Sequence, residues 1–368
     1  MKRDAVAAHT RTLCGAERYL GRYIVNATSG TTGSPNFIVF DHAEWATALA
    51  SFTRYEQHVG SLRGAVQRPR MAVVVSTTPW HMSARIGTTV RSSWLPMLRI
   101  DVGDPLSSIV QRLNSWQPQM LATYASMAGI LADEQRAGRL RIAPVRIVCS
   151  AEVLTPALSK RVEAVWGKIV FNQYGATEGG TFAVECESHR CLHIFEDLMI
   201  LEVVDEQNQP VPPGTYGDKI LLTVLSNYTQ PLIRYELSDS VCVSPDICPC
   251  GSAYTLIEEI QGRREEVLHF PTSREATAVH PVVFYRILDA EPVIGWQVVQ
   301  EDARLCLYLS GDASLANEVD LIARVQAALE RQGVVPPQIV IEWRQNVTRG
   351  TTGKASRIVS RLSGSSRM

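Results

Sequence analysis

The sequence predicts an α/β fold with two domains, a large N-terminal domain of mixed sheets and helices and a small C-terminal α+β domain. Strands rich in Val and Ile alternate with helical segments through the first half of the chain. From about residue 198 the pattern changes to paired strands joined by short turns, and after Gly262 it becomes strand, strand, helix, strand. The 368 residues are 45% hydrophobic and 20% charged, which is a globular composition with enough chain for two domains.

Alternating strands and helices of this length are typical of a parallel sheet covered by helices. Strands are predicted at 37–40, 71–77, 145–149 and 169–173. A capping box of Asp41 and Glu44 predicts a helix that runs toward Val59. Further helices are predicted to open at Asp104-Pro105, with the proline in the first helical position, to surround 127–134 and to span 155–166.

The second half is predicted to hold an antiparallel pair of strands and then a compact α+β unit. The paired strands lie at 199–204 and 219–225, on either side of a turn-forming segment at 210–215. The compact unit is predicted to contain strands at 297–299, 304–309 and 338–342 and a helix at 313–332. We therefore expect domains at 1–261 and 262–368, with the boundary inside 260–262.

The charge balance and the apolar pattern argue against several classes of partner. Lys and Arg total 36 against 37 Asp and Glu, so the net charge is −1 and no global positive field attracts nucleic acid. The first twenty residues lack the apolar core of a secretory signal, and no apolar run reaches membrane-spanning length. The eight cysteines favour reduced thiols or a metal over disulfides. These observations predict a cytoplasmic enzyme without a nucleic-acid or membrane partner.

A hydroxyl-rich segment near the N-terminus is the first candidate binding site. It combines two glycines with five hydroxyl side chains over the residues Thr28, Ser29, Gly30, Thr31, Thr32, Gly33, Ser34 and Pro35. Exposed amides and uncharged donors at this density are typical of a phosphate-binding loop. The segment is not a Walker loop, because no Gly-Lys-Ser/Thr follows. A surface linker of the same composition is the alternative that this segment alone leaves open.

Two further segments carry groups that suit a phosphate site. Residues 172–178 follow a predicted strand and bring Thr177 and Glu178 to its carboxyl end, where open α/β sheets bind ligands. Glu178 is a candidate ligand for Mg²⁺, which prefers carboxylate oxygens. Lys354 lies in a glycine-flanked loop near the C-terminus, where it is a candidate cation for the site, with a solvated surface charge as the alternative.

Together these segments resemble those of the adenylate-forming acyl ligases, in particular the phenylacetate–coenzyme A ligase-like branch. Six segments occur in the family's order along nearly the whole chain: TSGTTGSP at 28–35, SAEVLTP at 150–156, YGATE at 174–178, PLIRYELSD at 231–239, GRREE at 262–266 and TTGKASR at 351–357. Six ordered matches are far more specific than one, so we prefer the phosphate loop to the linker. The resemblance implies a large adenylate-forming domain and a small mobile domain that carries the catalytic lysine.

The resemblance also implies a role for each matched residue. The phosphates of ATP would be bound by Thr28, Ser29, Gly30, Thr31, Thr32 and Gly33. The adenosine part would be contacted by Ser150, Ala151, Glu152, Tyr174, Asp239 and Arg263. Four residues would serve the chemistry: Thr177 at the α-phosphate, Glu178 at Mg²⁺, Lys354 between the attacking carboxylate and the α-phosphate, and Glu265 as the hinge. Asn36 departs from the pattern, because the family often has lysine there.

The implied reaction is ATP-dependent activation of a small aromatic carboxylic acid as an acyl-adenylate, followed by transfer of the acyl group to a thiol. Coenzyme A is the favoured acceptor, and the phosphopantetheine of an acyl carrier protein or an amine is the alternative. An inactive nucleotide-binding interaction module is the alternative of another class, against which the presence of Glu178, Asp239 and Lys354 argues. The candidate walls of the acid pocket are Trp80, His81 and Tyr124, with a plain core role as the alternative.

Two cysteine pairs indicate a structural zinc site. Cys186 and Cys191 lie in one segment and Cys248 and Cys250 in another, and four soft ligands suit tetrahedral Zn²⁺. The alternatives to Cys191 are His189 and His193. Some relatives in this branch resemble the chain in carrying zinc at these two segments. Reduced cysteines in a polar loop are the alternative to a metal.

Overall fold

The computed structural model describes residues 5–6, 9–10, 17–28, 36–54, 69–90, 93, 95–188, 191–263, 266–271, 277–279, 281–347 and 357–362. The strands in these ranges are β1 (Ile24–Ala27), β2 (Phe37–Phe40), β3 (Met71–Val75), β4 (Met97–Asp101), β5 (Met120–Tyr124), β6 (Arg146–Ser150), β7 (Val170–Ala176), β8 (Gly180–Glu185), β9 (Leu192–Ile194), β10 (Met199–Val204), β11 (Lys219–Val224), β12 (Tyr235–Leu237), β13 (Asp239–Val243), β14 (Leu256–Arg263), β15 (Leu268–Phe270), β16 (Thr277–Val279), β17 (Gly295–Gln300), β18 (Arg304–Ser310), β19 (Gln338–Trp343) and β20 (Ile358–Ser360). The α-helices are α1 (His42–Thr53), α2 (Met82–Thr89), α3 (Leu106–Trp116), α4 (Ala125–Arg136), α5 (Pro156–Trp166), α6 (Val282–Leu288) and α7 (Glu318–Arg331).

A nine-stranded sheet organises the N-terminal part, in the order β13-β14-β9-β8-β7-β6-β5-β3-β4. The five strands from β3 to β7 pair in parallel, as the alternation of strands and helices predicts. The other four strands extend the sheet by antiparallel pairing. Parallel strands need a crossover, and helices α3, α4 and α5 supply it and bury apolar faces against the sheet. The fold class is therefore confirmed.

Helix α1 begins at the predicted capping box. The Asp41 side chain accepts from Glu44 N at 2.9 Å, and Glu44 Oε2 accepts from Asp41 N at 2.6 Å. The helix ends at Thr53, and residues 55–68 lie outside the described ranges.

Helix α3 starts one residue later than predicted. Pro105 has an extended ψ of 133°, so it is the N-cap of this helix and not its first helical residue.

Two smaller sheets flank the central one. Strands β1 and β2 form an antiparallel hairpin around the hydroxyl-rich segment, and the sequence patterns predicted only the second of them. Strands β10 and β11 pair antiparallel, as predicted, and β12 adds a third strand to them. Apolar residues of the two smaller sheets, from β1, β2, β10 and β11, share one core with residues of the central sheet, including those of β8.

The C-terminal part has a sheet and a core of its own. Its strand order is β19-β18-β17-β20, and helices α6 and α7 pack into its core. Strand β20 pairs in parallel with β17 and was not predicted. The predicted helix at 313–332 is broken: residues Ala313–Leu315 form a 3-10 turn, and α7 starts afresh after Asn317, whose side chain accepts from Asp320 N at 3.2 Å.

Strand β14 runs through the predicted domain boundary. Gly262 lies inside it with φ of 112°, a conformation that favours glycine. The division into domains at 1–261 and 262–368 stays a prediction.

Among the described residues, no helix has both the length and the apolar character needed to cross a bilayer.

Candidate nucleotide site and cysteine–histidine cluster

The carboxyl ends of the parallel strands bring several predicted residues into one row. Tyr124 of β5 pairs in register with Ser150 of β6, and Ser150 pairs with Gln173 of β7. Ala151 follows with φ of 66°, a left-handed conformation that a residue with a Cβ adopts only where its surroundings impose it. This turn leaves Ala151 exposed at the edge of the sheet.

Asp239 and Arg263 face each other across two neighbouring strands. They pair in register between β13 and β14, and Arg263 Nε lies 3.8 Å from Asp239 Oδ1. Burial, and after it the charge of Asp239, raises the pKa of Tyr174 well above its usual value, so this hydroxyl stays protonated. The Glu152 carboxylate is held in place because its Oε2 accepts from Ser126 N at 2.8 Å.

A chain of polar contacts joins Glu178 to both ends of the hydroxyl-rich segment. Asn36 N donates to Thr28 Oγ1 at 2.9 Å, and Thr28 N donates to the Asn36 carbonyl at 2.8 Å. Asn36 Nδ2 donates to the Tyr235 hydroxyl at 3.1 Å, and the Glu178 carboxylate lies near this hydroxyl. Burial, and then the charge of Glu178, raises the pKa of Tyr235. Glu178 is 5% exposed, and its neighbour Thr177 is half-buried.

Eight of the predicted residues lie outside the described ranges: Ser29, Gly30, Thr31, Thr32, Gly33, His189, Glu265 and Lys354. Residues next to two of them are described. Glu266, which follows the predicted hinge, accepts from the Tyr285 hydroxyl at 3.2 Å, and desolvation raises the pKa of its carboxyl. Arg357, three positions after Lys354, is buried and forms an ion pair with Asp289 at 2.7 Å.

The three candidate walls of the acid pocket lie close together, Trp80 and His81 after β3 and Tyr124 at the end of β5. His81 Nδ1 is 2.8 Å from Ser76 Oγ, and Ser76 N donates to the Tyr124 hydroxyl at 3.1 Å. The rings of Trp80 and His81 are 6.2 Å apart in an edge-to-face arrangement. Trp80 and His81 are half-buried, whereas Tyr124 is 3% exposed and packs in the core between the sheet and its helices.

Two residues of this region carried no sequence signal of their own. Ser76 links His81 to Tyr124, although it belongs to no quoted motif. Tyr235 lies inside the PLIRYELSD segment, but its contacts with Asn36 and Glu178 arise only from the tertiary fold.

The structure brings Cys186, His193, Cys248 and Cys250 together. Their ligand atoms all lie within 4.8 Å of one another. Cys186 Sγ is 3.5 Å from Cys248 Sγ, and Cys250 Sγ is 3.5 Å from His193 Nε2. Cys191 packs beside the cluster but is not a member of it. Within β9, Leu192 and Ile194 enter the main core, so the alternation of the strand turns His193 toward Cys250, whereas Cys191 precedes the strand.

The donor set of this cluster fits a closed zinc site. Tetrahedral ligands at about 2.0–2.3 Å from a zinc ion lie about 3.3–3.8 Å from one another, and the Cys186–Cys248 and Cys250–His193 separations of 3.5 Å fall in this range. Three sulfurs and one imidazole nitrogen also form one of the usual structural combinations. Burial raises the pKa of the Cys186 thiol to about 11, a cost that thiolate coordination to a cation would offset.

A family model described as AMP-binding enzyme matches residues 23–221, more than half of the chain. The chain belongs to this family. The matched stretch includes the β1–β2 hairpin, the parallel strands and Glu178, whereas Asp239 and Arg263 lie beyond it. Membership of this family confirms the resemblance on which the residue roles were assigned.

Individual relatives agree with the family match. Phenylacetate-coenzyme A ligase of Thermus thermophilus is 28% identical over 268 residues, which cover 68% of this chain and 58% of that ligase. Phenylacetate-coenzyme A ligase of Pseudomonas putida is 27% identical and covers 66% of this chain and 55% of the relative. This chain therefore spans a little over half the length of these two curated relatives.

Solved structures share the fold at lower identity. The crystal structure of 2-hydroxyisobutyryl-CoA ligase in the postadenylation state, in complex with R3-HIB-AMP, has a TM-score of 0.74 at 20% identity, covering 97% of this chain and 77% of that one. The same ligase in the thioesterification state, with 2-HIB-AMP and CoA, has a TM-score of 0.56 over 98% of this chain and 78% of that one. The arrangement of the chain is therefore nearer to the first of these two structures.

Proposed function

We propose that this chain activates a small aromatic carboxylic acid with ATP, forming an acyl-adenylate and pyrophosphate, and then passes the acyl group to the thiol of coenzyme A. The observation that carries the proposal is the contact chain from Glu178 through Tyr235 to Asn36 and Thr28. It joins a buried carboxylate to the two ends of a hydroxyl-rich loop, which is the arrangement a triphosphate with its metal requires. Family membership and the names of the relatives support the same reaction.

The main barrier to the reaction is the repulsion between an attacking carboxylate and a negative phosphate. The residues of the site can reduce this repulsion. Glu178 offers the carboxylate oxygens that Mg²⁺ prefers. Bound Mg²⁺ would neutralise phosphate charge and so lower the electrostatic barrier. We assign Lys354 the second neutralising charge, between the carboxylate and the α-phosphate, and Thr177 a contact to the same phosphate. Such chemistry is mostly positioning and charge compensation.

The nucleoside is assigned to the row at the carboxyl edge of the sheet. Ser150, Ala151 and Glu152 would lie along the adenine, next to Tyr174. Asp239 would accept hydrogen bonds from the ribose hydroxyls, and Arg263, 3.8 Å away, places a positive charge beside that carboxylate. The left-handed Ala151 supports this assignment, because strained backbone tends to occur at binding sites.

The acid is assigned to the space bordered by Trp80 and His81. Both side chains are half-buried, and aromatic walls of this kind suit an aromatic or apolar acid. Ser76 holds His81 by its 2.8 Å contact, so the imidazole has a defined orientation at the entrance. Tyr124 lies behind it as a buried support.

We assign the two steps to two arrangements of a large domain at 1–261 and a small domain at 262–368, with Glu265 as the hinge. This chain matches two states of one ligase with different TM-scores, 0.74 and 0.56. The difference supports a fold of this type whose two domains can take either arrangement. Glycine at 262, with φ of 112°, gives the connecting strand a residue suited to a change of backbone direction.

Pyrophosphate release, measured against a panel of aromatic and aliphatic acids with and without coenzyme A, tests the proposal. We expect release with at least one aromatic acid and a thioester product when coenzyme A is present. If pyrophosphate is released and the adenylate accumulates without a thioester, the acceptor is a carrier-protein phosphopantetheine or an amine instead of coenzyme A. If no acid gives release, the chain is an inactive nucleotide-binding module. A cytoplasmic location stays a prediction.

We also propose that Cys186, His193, Cys248 and Cys250 bind a structural Zn²⁺. Support comes from the geometry of the four ligand atoms, all within 4.8 Å of one another. A site with four protein ligands has no open position for substrate, so its role would be to connect the β8–β9 segment to the loop that precedes β14.

A further inference from the structure

Asp289 is buried between the N-terminal and C-terminal parts of the molecule, and both of its carboxylate oxygens are in use. It follows helix α6, and its side chain is 3% exposed. Oδ1 accepts from Arg357 Nη1 and Trp296 Nε1, each at 2.7 Å, and Oδ2 accepts from Thr155 Oγ1 at 2.7 Å. A buried carboxylate is tolerated only where such partners replace its water.

The three partners of Asp289 belong to different parts of the fold. Arg357 and Trp296 lie with Asp289 in the C-terminal part, and the Arg357 guanidinium is 4.7 Å from the centroid of the Trp296 ring. Thr155 lies in the N-terminal part, where it caps helix α5 by accepting from Leu158 N at 3.2 Å. If the C-terminal part rotated, Arg357 and Trp296 would move with Asp289, and the Thr155 contact would break. We call the Thr155–Asp289 hydrogen bond the seam bond.

Two other polar contacts join described residues of the same two parts, and each is weaker than the seam bond. Arg286 of helix α6 pairs with Glu259 at 2.7 Å, but its side chain is 62% exposed, and ion pairs of this kind contribute little. Arg161 donates to the carbonyl of Val293 at 2.9 Å, a bond whose acceptor is neutral. The seam bond combines burial with a charged acceptor, and such hydrogen bonds are the stronger ones.

We propose that the seam bond stabilises the domain arrangement in which the acid is adenylated, and that it must break before the thioester forms. The inference rests on the proposed function, because it assumes a two-step cycle with a rotating small domain. In this cycle Asp289 is a positioning residue. The carboxylate that binds Thr155 also binds Arg357, which directly precedes β20 and follows Lys354 by three positions.

Three variants of Thr155 test the seam bond without disturbing Arg357. Thr155→Asp keeps a side chain that caps a helix well, but it replaces the donor by a second carboxylate facing Asp289. Thr155→Ser is the matched control, because it keeps both the donor and the cap. Thr155→Val removes the donor without adding charge, and it keeps the test open if Thr155→Asp does not fold.

The two half-reactions are measured separately at pH 8, with the best acid from the panel. We expect Thr155→Asp to slow ATP–pyrophosphate exchange about tenfold or more, with KM for the acid unchanged. Thioester formation from a supplied acyl-adenylate and coenzyme A should stay at or above the wild-type rate. Thr155→Val should change in the same direction, and Thr155→Ser should behave as wild type. Equal loss of both half-reactions, or no loss in either, would overturn the proposal.

Small-angle X-ray scattering of the ligand-free chain separates this inference from the proposed function. We expect the wild type and Thr155→Ser to match the scattering profile of the present structure, and Thr155→Asp to depart from it. An unchanged profile for Thr155→Asp and Thr155→Val would contradict the seam bond even in an active enzyme. Absence of pyrophosphate release by the wild type with every acid would instead contradict the proposed function, while the scattering comparison would still decide about the bond.

Discussion

Tyr235 connects two parts of the candidate nucleotide site that are far apart in sequence. Its hydroxyl receives a hydrogen bond from Asn36 at 3.1 Å and lies near the Glu178 carboxylate. The resemblance to the family predicts a lysine at position 36, whereas this chain has Asn36, whose amide supports Tyr235. The consequence is that the orientation of Glu178 depends on a neutral hydroxyl.

Tyr235→Phe tests this dependence. Loss of a polar contact with a charged group costs up to about 1.5–3 kcal/mol, so we expect the rate of adenylation to fall about tenfold. We expect a higher Mg²⁺ concentration to be needed for half-maximal pyrophosphate release. Tyr254→Phe is the matched control, because the Tyr254 hydroxyl contacts Asp197 and Arg54, outside the site. Equal Mg²⁺ dependence in the two variants would show that Tyr235 does not act through Glu178.

Lys354→Ala tests the cation assigned to the reacting atoms. Removal of a preorganised charge partner lowers rates by about a hundred- to thousandfold, so we expect ATP–pyrophosphate exchange to fall by that factor. ATP binding, followed by calorimetry, should persist, since the hydroxyl-rich loop and the nucleoside contacts, which do not include this lysine, remain in place. Exchange near the wild-type rate would refute the role of Lys354.

The sequence identified residue types better than it identified contacts. Asp239 and Arg263 were assigned from motifs, and the structure brings them to 3.8 Å by strand pairing. Cys191 was preferred to His193 as a metal ligand because it completes two cysteine pairs, but the alternation of β9 directs His193 toward Cys250. Which face of a three-residue strand enters the core depends on its neighbours in the sheet, and spacing within a loop does not reveal it.

Glu44, in the first turn of helix α1, also binds a loop that is distant in sequence. The Glu44 carboxylate accepts from Asp41 N at 2.6 Å, from Tyr228 N at 2.8 Å and from Thr229 N at 2.7 Å. The side chain thus ties the helix to the loop between β11 and β12, and Glu44 is 6% exposed. The capping box was readable from the sequence, whereas the two amides from the loop were not, since they come from a segment more than 180 positions away.

Glu44→Ala is expected to lower the free energy of unfolding by about 3 kcal/mol, because three partly buried amides would lose their acceptor. Glu44→Gln retains an acceptor oxygen and loses only the charge, so we expect it to lower the free energy of unfolding by about half as much as Glu44→Ala. Urea denaturation measures both values. A loss below about 1 kcal/mol for Glu44→Ala would mean that water satisfies the loop amides and that the tie is weak.

Elements were predictable where a local pattern specified them. The parallel strands and helix α5, which starts at Thr155 and Pro156, follow apolar runs and capping residues. Strand β20 has three residues and exists because β17 offers an unpaired edge. Strand β1 likewise forms against β2. Short strands of this kind are defined by their partner, and their own sequence carries too little periodicity to predict them.

Across the molecule, the candidate zinc site and the candidate nucleotide site belong to opposite ends of one sheet segment. The cluster takes Cys186, which directly follows β8, and His193 of β9, whereas Glu178 lies just before β8. The cluster therefore connects antiparallel strands that support the site without contributing groups to it. Loss of metal should affect the stability of the protein more than its chemistry.

Metal content and thermal stability test this division. We expect about one Zn²⁺ per chain in protein purified without chelator, and a melting temperature lowered by about 5–10 °C in Cys248→Ser, which removes a ligand. Cys191→Ser is the matched control, because this cysteine packs beside the cluster without joining it, so its zinc content should equal that of the wild type. At temperatures where Cys248→Ser stays folded, its rate of adenylation should remain within about threefold of wild type, since the ligands touch none of the assigned substrate contacts. Zinc lost from Cys191→Ser but retained in His193→Asn would reverse the assignment of the fourth ligand, and wild-type protein without zinc would remove the site altogether.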